Sequence, residues 1–151
     1  MLRQRLNDEL KAAMKSRDQR ATSTLRLILA ALKDRDIAAR PRGVADGVDE
    51  SEIIDLLQKM VRQRQESIVL YKQGNRPELA AQEQGEIDMI ERFLPQKMSE
   101  TETAQAIEGV VQELGAATIK DMGRVMAALK ERYAGRMDFA KVGQQVKQKL
   151  G

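Results

Sequence analysis

Apolar side chains recur every three or four positions along most of the chain, which is the period of an amphipathic α-helix. Leu2, Leu6 and Leu10 begin the first such stripe. Together with their start and stop signals, the stripes predict seven helices, over about residues 2–16, 18–38, 49–73, 77–94, 100–114, 119–133 and 138–150. The chain is therefore predicted to be all-α and multihelical.

Turn-forming residues and helix caps separate the stripes from one another. The longest interruption covers residues 39–48, where Pro41, Gly43 and Gly47 predict a loop. Three pairs of residues have the spacing of a capping box, which marks a helix start: Asp49 with Glu52, Ser99 with Glu102, and Thr118 with Asp121.

A junction near residue 96 divides the chain into two parts. Pro95 stops the fourth predicted helix, and Ser99 opens the fifth. We therefore expect an N-terminal helical subdomain over residues 1–96 and a C-terminal subdomain over residues 97–151.

The composition excludes several kinds of chemistry. The chain has no cysteine and no histidine, so it can hold no disulfide, no thiolate nucleophile, no His-containing triad and no His-based zinc site. Catalysis would have to rest on Ser, Lys, Tyr or carboxylates. We assign no catalytic or metal-binding residue, and we expect no cofactor.

The apolar segments are too short for a membrane protein. The longest apolar run, Leu27 to Leu32, cannot cross a bilayer. No apolar stretch typical of a secretory leader follows Met1. We therefore expect a cytoplasmic protein with no membrane partner.

Charge is distributed unevenly, although the net charge is only +3. Residues 1–43 carry 11 Lys and Arg against 5 Asp and Glu, whereas residues 44–98 carry 7 against 11. Residues 99–151 are close to neutral, with 8 against 7. The basic N-terminal section favours a polyanionic partner, and an ordinary solvated helix surface is the alternative.

Three charged residues fall within apolar stripes, namely Arg64 on the third predicted helix and Glu83 and Glu86 on the fourth. Asn75 and Pro77 predict a tight turn that folds the two helices into an antiparallel hairpin, with Arg64 within about one turn of Glu86. Facing charges should pair, because isolated buried charges are costly. We favour a structural ion network, with a catalytic carboxylate pair as the alternative. A di-metal bundle would normally add Glu-x-x-His motifs, and the chain has no histidine.

The last third of the chain carries a candidate nucleic-acid-binding surface. Its six assigned residues are Lys120, Gly123, Arg124, Arg132, Arg136 and Lys141. The cations would follow phosphates, but Tyr133 and Phe139 stand alone, so base stacking is not expected. Shape and phosphate recognition of a structured RNA fits better than DNA binding, which we do not expect. A solvated helix face is the alternative.

Gly123 lies inside a predicted helix, where glycine costs about 1 kcal/mol relative to alanine. Either a phosphate backbone or another helix approaches it closely, or it packs tightly within its own subdomain. The neighbouring stripe of Met122, Val125, Met126 and Leu129 is predicted to be core, with a partner-binding methionine surface as the alternative.

Motifs along the chain resemble those of the YqeY family, in the same order. They are Ala13-Met14-Lys15, Thr24-Leu25-Arg26, Gln63-Arg64-x-Glu66-Ser67, Phe93-Leu94-Pro95, Met122-Gly123-x-x-Met126 and Gly135-Arg136-x-Asp138. The last two resemble the tail domain of the B subunit of aspartyl/glutamyl-tRNA amidotransferase, the GatB/YqeY module. The similarity covers essentially the whole chain.

The resemblance implies an all-α fold with a four-helix N-terminal part and a three-helix C-terminal GatB/YqeY tail. It also implies a tRNA partner, because the tail module of the amidotransferase meets tRNA and similar modules are appended to some bacterial glutaminyl-tRNA synthetases. Our first hypothesis is a non-catalytic tRNA-binding accessory protein. The second is a protein–protein adaptor that docks on an amidotransferase or an aminoacyl-tRNA synthetase.

Family descriptions also carry the label of a carbon–nitrogen ligase with glutamine as amido-N-donor, which we rank as the last hypothesis. That reaction needs an ATP-dependent kinase centre and an amidase centre. The chain has neither a Gly-rich phosphate loop nor a Ser-Ser-Lys amidase site. Kinship of fold does not supply an active site, so we expect no catalytic activity from the chain alone.

Overall fold

The computed structural model describes residues 1–151 and contains helices but no strand. The helices are α1 (Leu2–Lys15), α2 (Gln19–Ala39), α3 (Glu50–Gln73), α4 (Pro77–Glu91), α5 (Glu100–Leu114), α6 (Met122–Arg132) and α7 (Phe139–Leu150). Two short 3₁₀ turns cover Arg40–Arg42 and Ile119–Asp121. The prediction of an all-α, multihelical fold is confirmed.

Polar caps determine where several helices begin. The carboxylate of Asp18 accepts the N–H of Ala21 at 3.1 Å and caps α2. Ser99 and Glu102 form the reciprocal capping box of α5, in which each side chain accepts the other residue's backbone N–H. These side chains satisfy N–H groups that have no partner inside the helix. Gly115, with φ of +63°, ends α5 in the left-handed conformation that glycine adopts most readily.

Two predicted helix boundaries are wrong by three residues. α4 ends at Glu91 and not at 94, because the N–H of Phe93 turns back to the carbonyl of Ile90 in a tighter, i+3 pattern ahead of Pro95. The helix predicted from residue 119 starts as a 3₁₀ turn, in which the N–H of Asp121 donates to the Thr118 carbonyl three residues before it, and α6 proper begins at Met122.

The chain divides into two compact units, Met1–Leu94 and Pro95–Gly151, which we call the N-terminal and C-terminal units. In the N-terminal unit, α1 and α2 pack together, and α3 and α4 form a long hairpin. The hairpin turns at Asn75, whose φ is +56°. The most deeply buried side chains of this unit come from all four helices: Leu6, Leu25, Ile28, Leu32, Leu57 and Ile90.

A polar clamp holds the end of the loop between α2 and α3. Arg3 donates to both oxygens of Asp36, at 2.7 and 3.0 Å, and to the carbonyl of Val48 at 3.2 Å. Asp36 also accepts the N–H of Val48 at 2.9 Å. Gly47 has φ of +94°, and a Cβ there would lie 2.7 Å from Arg3 Nη2. The clamp therefore needs a glycine at this position.

The C-terminal unit is built from α5, α6 and α7 around its own core. The side chains buried most deeply in it are Val110, Val125, Leu129, Val142 and Val146. A backbone hydrogen bond joins the start of the unit to the α6–α7 loop, because the Met98 N–H donates to the Arg136 carbonyl at 2.9 Å. Each unit holds one of the chain's two tyrosines: Tyr71 lies half-buried on α3, and Tyr133 packs against the C-terminal core.

None of the helices is both long enough and apolar enough to span a membrane.

Candidate functional site

The six residues assigned to a nucleic-acid surface lie on four consecutive segments of the C-terminal unit. Lys120 is in the second 3₁₀ turn, Gly123 and Arg124 are in the first turn of α6, and Arg132 is its last residue. Arg136 lies in the α6–α7 loop, and Lys141 in the first turn of α7. All are exposed except Arg136, which is half-buried.

The two lysines are the cations of this set that have no protein partner. Neither Lys120 nor Lys141 takes part in an ion pair or a side-chain hydrogen bond in the structure. A cation that is solvated by water alone can bind a phosphate without first giving up a carboxylate. The lysines are therefore the residues of the set best suited to phosphate contact.

Arg124 is held by Asp121, one helical turn before it. The carboxylate of Asp121 accepts the N–H of Ala117 at 3.0 Å and Arg124 Nη2 at 2.8 Å, and it also accepts the N–H of Thr118. These donors, led by the Ala117 N–H, lower the pKa of Asp121 to about 2. Asp121 thus fixes both the turn before α6 and the direction of Arg124.

The remaining two arginines of the set also have protein partners. Arg132 donates through two nitrogens to Glu113, at 2.6 and 2.8 Å. This hydrogen-bonded pair lowers the pKa of Glu113 and raises that of Arg132. Arg136 Nε donates to the backbone carbonyl of Gln96 at 3.0 Å. Both arginines therefore join segments of the C-terminal unit to one another.

Gly123 faces open space. A Cβ added to it would meet no atom within 4 Å, and the residue is exposed. The alternative of tight packing within the C-terminal unit is therefore wrong. On the other side of α6, Met122 and Met126 are half-buried against the core, each within 3.9 Å of the position a Cβ on Gly143 would take.

In the N-terminal unit, the structure brings Arg64, Glu83 and Glu86 together on the α3–α4 hairpin. Arg64 Nε donates to Glu86 Oε2 at 3.0 Å and lies 4.0 Å from Glu83 Oε2. Arg64 Nη1 also donates to the Met60 carbonyl at 3.2 Å. The three side chains are only 14–22% exposed, so the charges are largely withdrawn from water.

The two carboxylates of this network share one guanidinium. Burial, and then the nearby negative charge of Glu86, raise the pKa of Glu83, while Arg64 opposes the rise. Glu86 also lines a groove of about 530 Å³ between the start of α2 and the middle of α4. The Arg64–Glu86 pair makes the close contact, and Glu83 is the more weakly held member. Nowhere in the chain do three or more carboxylates come together in a group that could hold a metal ion.

Two carboxylates that bind the assigned arginines, Glu113 and Asp121, were not predicted to belong to the site. Glu113 lies 19 positions before Arg132, on another helix, and no local spacing connects them. Asp121 was predicted only as a helix cap, although its position three residues before Arg124 is a usual spacing for an ion pair on a helix. That spacing is the sequence signal that could have identified it.

The fold and these residues define an all-helical protein of two units, with a half-buried ion network on the α3–α4 hairpin of the first and the exposed, unpaired Lys120 and Lys141 in the second. The chain belongs to the family of YqeY-like proteins, whose model matches residues 3–150. The resemblance found in the sequence motifs is thus confirmed over nearly the whole chain.

Two yeast proteins are among the relatives of the chain. A Saccharomyces cerevisiae (strain YJM789) protein called altered inheritance of mitochondria protein 41, mitochondrial, is 33% identical over 91 residues, which is 60% of this chain and 47% of the relative. A protein of the same name from Lachancea thermotolerans is 32% identical over 111 residues, covering 72% of this chain and 57% of the relative. The chain therefore spans about half the length of these curated relatives.

Proposed function

We propose that this protein is a non-catalytic accessory protein that binds tRNA through its C-terminal unit. The observation that carries the proposal is the exposed start of α6, where Gly123 has no side chain and no neighbour within 4 Å. A glycine at an exposed helical position is unfavourable for the isolated protein. It is useful where a backbone from another molecule approaches the helix closely.

The charges around this glycine support a phosphate as the approaching group. Lys120 precedes it by three residues and has no ion-pair partner, and Lys141 supplies a second unpaired cation in the same unit. Arg124, oriented by Asp121, follows it directly. No exposed aromatic platform accompanies these cations, which favours the backbone and shape of a folded RNA over single-stranded bases.

A binding titration of the full chain against total tRNA tests the proposal. At two salt concentrations, about 50 and 200 mM, we expect affinity to fall on the order of tenfold or more, because a few phosphate contacts release condensed counterions. The variant Lys120→Gln/Lys141→Gln should lose most of the binding. Affinity that is unchanged by salt, or no binding at all, would contradict the proposal.

A matched control variant distinguishes the loss of the proposed site from the loss of net positive charge. Lys97→Gln/Lys130→Gln removes two other exposed lysines that have no ion pair, from the same unit. It should bind tRNA within about twofold of wild type, because lysines outside the proposed site act on tRNA only through the general electrostatic field of the protein. Equal losses in the two variants would show that only net charge matters.

A second candidate function is an adaptor that docks on an amidotransferase or an aminoacyl-tRNA synthetase. Val69 and Leu70 favour it, because these neighbouring apolar residues near the end of α3 are 54% and 66% exposed. Capture of such an enzyme by the full chain should then survive nuclease treatment. Substituting both residues by serine should abolish capture and leave tRNA binding intact.

Ligase activity with glutamine as amido donor ranks last, and only glutamine-dependent conversion of Glu-tRNA by the purified chain would support it. We also propose a cytoplasmic location. The word mitochondrial in the relatives' name applies to those yeast proteins. Fluorescent tagging of the full-length protein in its own cells tests the location, and an organellar or surface signal would overturn it.

A further inference from the structure

The cations of the N-terminal unit separate into paired and unpaired groups. Five arginines of this unit are in ion pairs with carboxylates: Arg3, Arg35, Arg42, Arg64 and Arg76. By contrast, four cations around the α1–α2 turn take part in no ion pair: Lys15, Arg17, Arg20 and Arg26. Four positive charges without an ion pair therefore lie within residues 15–26 at the α1–α2 turn, while other unpaired cations of the unit, such as Lys59 and Arg62, lie on α3.

The single acidic residue among them offers little compensation. Asp18 is the one carboxylate between residues 15 and 26, and it accepts the N–H of Ala21 as the cap of α2. One of its two carboxylate oxygens thus accepts a backbone N–H, and neither pairs with a cation. This stretch keeps an excess of three positive charges that no side chain of the protein neutralises.

Two of these cations, Arg17 and Arg26, line a surface cavity of about 450 Å³. It is lined by Met14, Arg17, Gln19, Thr22, Ser23 and Arg26. Two guanidinium groups, an amide and hydroxyls face the cavity, and no carboxylate does. Such a set of donors is suited to an anion with several oxygens, because each guanidinium can donate two parallel N–H bonds to one phosphate.

The cations also extend beyond the cavity. Arg20 and Arg26 lie six residues apart on α2, which is about 9 Å along the helix axis. That spread exceeds the size of one carboxylate or one phosphate. It fits successive phosphates of a nucleic-acid strand, with the N-terminus of the 21-residue helix α2 adding its positive dipole end.

We propose that the cationic surface of the α1–α2 turn is a second RNA-contacting site, which binds backbone phosphates. This inference rests on the proposed function for the identity of the ligand, since RNA is the polyanion concerned. It assigns the N-terminal unit a binding role of its own, with Arg17 and Arg26 holding one phosphate in the cavity and Arg20 contacting a neighbouring one.

Arg17 provides an unusually clean variant. Its φ is +58°, a left-handed conformation that costs most side chains energy and that asparagine adopts more readily. Arg17→Asn should therefore keep or raise the melting temperature while it removes a phosphate-binding cation. Loss of binding in this variant cannot be ascribed to loss of the fold.

The test compares two full-length double variants in a tRNA titration. Arg17→Asn/Arg26→Gln should weaken binding at least fivefold and lower the slope of log affinity against log salt by about two. Lys59→Gln/Arg62→Gln removes two exposed cations from α3 of the same unit that have no ion pair, and should change affinity less than twofold. Equal losses in the two variants would overturn the assignment.

A second measurement distinguishes failure of this inference from failure of the proposed function. Pyrophosphate titrated into the wild-type chain should shift the backbone amide NMR signals of residues 17–26 and leave those of α3 unchanged. If pyrophosphate shifts them and wild type does not bind tRNA, RNA is the wrong source of the phosphate. If pyrophosphate has no effect, or poly-glutamate alone shifts them, the phosphate site itself is overturned.

Discussion

Arg132 at the end of α6 and Glu113 on α5 form an ion pair through two parallel hydrogen bonds of 2.6 and 2.8 Å. The planar fork of a guanidinium matches a carboxylate in this arrangement, which fixes direction as well as distance. The pair joins two helices of the C-terminal unit. To bind a phosphate, Arg132 would first have to leave Glu113.

We therefore expect Arg132 to contribute more to the fold than to RNA binding. Arg132→Gln should lower the melting temperature of the C-terminal unit, while its tRNA affinity stays within about twofold of wild type. Lys120→Gln/Lys141→Gln should show the reverse pattern, because neither lysine has a protein partner. Thermal unfolding and tRNA titration of both variants check this. A loss of affinity in Arg132→Gln that matches the double variant would refute it.

The second prediction concerns the exposed glycine of α6. Gly123→Ala meets no neighbour within 4 Å, so the variant should fold and be up to about 1 kcal/mol more stable than wild type. Its tRNA affinity should nevertheless fall, because the new methyl group occupies the space that we reserve for a phosphate backbone.

Gly109→Ala is the matched control for that variant. Gly109 is also exposed in a helix of the C-terminal unit, with nothing within 4 Å of an added Cβ. It should gain similar stability in urea denaturation and bind tRNA like wild type. If both alanine variants bind alike, close approach at Gly123 is excluded.

The third prediction concerns the ion network on the α3–α4 hairpin. Arg64→Met leaves the carboxylates of Glu83 and Glu86 facing each other without a cation. We expect the free energy of unfolding to fall by about 2–3 kcal/mol, somewhat less than for a fully buried pair because these side chains keep some contact with water. Urea denaturation at neutral pH measures the change.

The double variant Arg64→Met/Glu86→Met completes that experiment. Removing one carboxylate with the cation should restore most of the lost stability, as apolar replacements of buried ion pairs often do. A single variant as stable as wild type would mean that the network contributes nothing to the fold.

The fourth prediction is a pH dependence that originates in Glu83. Because its pKa is raised by burial, the folded state binds this proton more tightly than the unfolded state does. Ionisation of Glu83 therefore lowers the free energy of unfolding at any pH above the pKa of the folded state. This loss of stability disappears below the pKa of the unfolded state, which is about 4.3. Glu83→Gln should be more stable than wild type at pH 7 to 8, and the difference should shrink as the pH falls toward 4.

The exposed residue Glu66, on α3, supplies the control for the pH series. Glu66→Gln removes a carboxylate that has no ion pair, so its stability relative to wild type should change little across the same range. If the stability of Glu83→Gln relative to wild type increased as the pH fell, the predicted pH dependence would have the wrong sign.

The helices could be predicted because their signals are local. Apolar periodicity and side-chain caps such as Asp18 and Ser99 act within a few residues, and these caps form the expected hydrogen bonds. The pairing of Arg64 with Glu86 could also be predicted, because the turn at Asn75 fixes the register of the α3–α4 hairpin.

Contacts between segments that are far apart in the sequence could not be predicted from such local patterns. The Arg132–Glu113 pair depends on how α5 packs on α6, and the clamp of Arg3 on Asp36 crosses 33 positions. The surroundings of Gly123 could not be predicted either, because a glycine in a helix is compatible with both open space and tight packing. In each case, tertiary packing decides what a local pattern leaves open.

The placement of one tyrosine in each unit makes the two units separately visible by spectroscopy. The chain contains no tryptophan, so Tyr71 and Tyr133 are its principal near-ultraviolet fluorophores. Emission of a Tyr71→Phe protein then reports the C-terminal unit alone, and that of a Tyr133→Phe protein the N-terminal unit. Melting curves of the two proteins would reveal whether the units unfold together or one after the other, without labels or truncation.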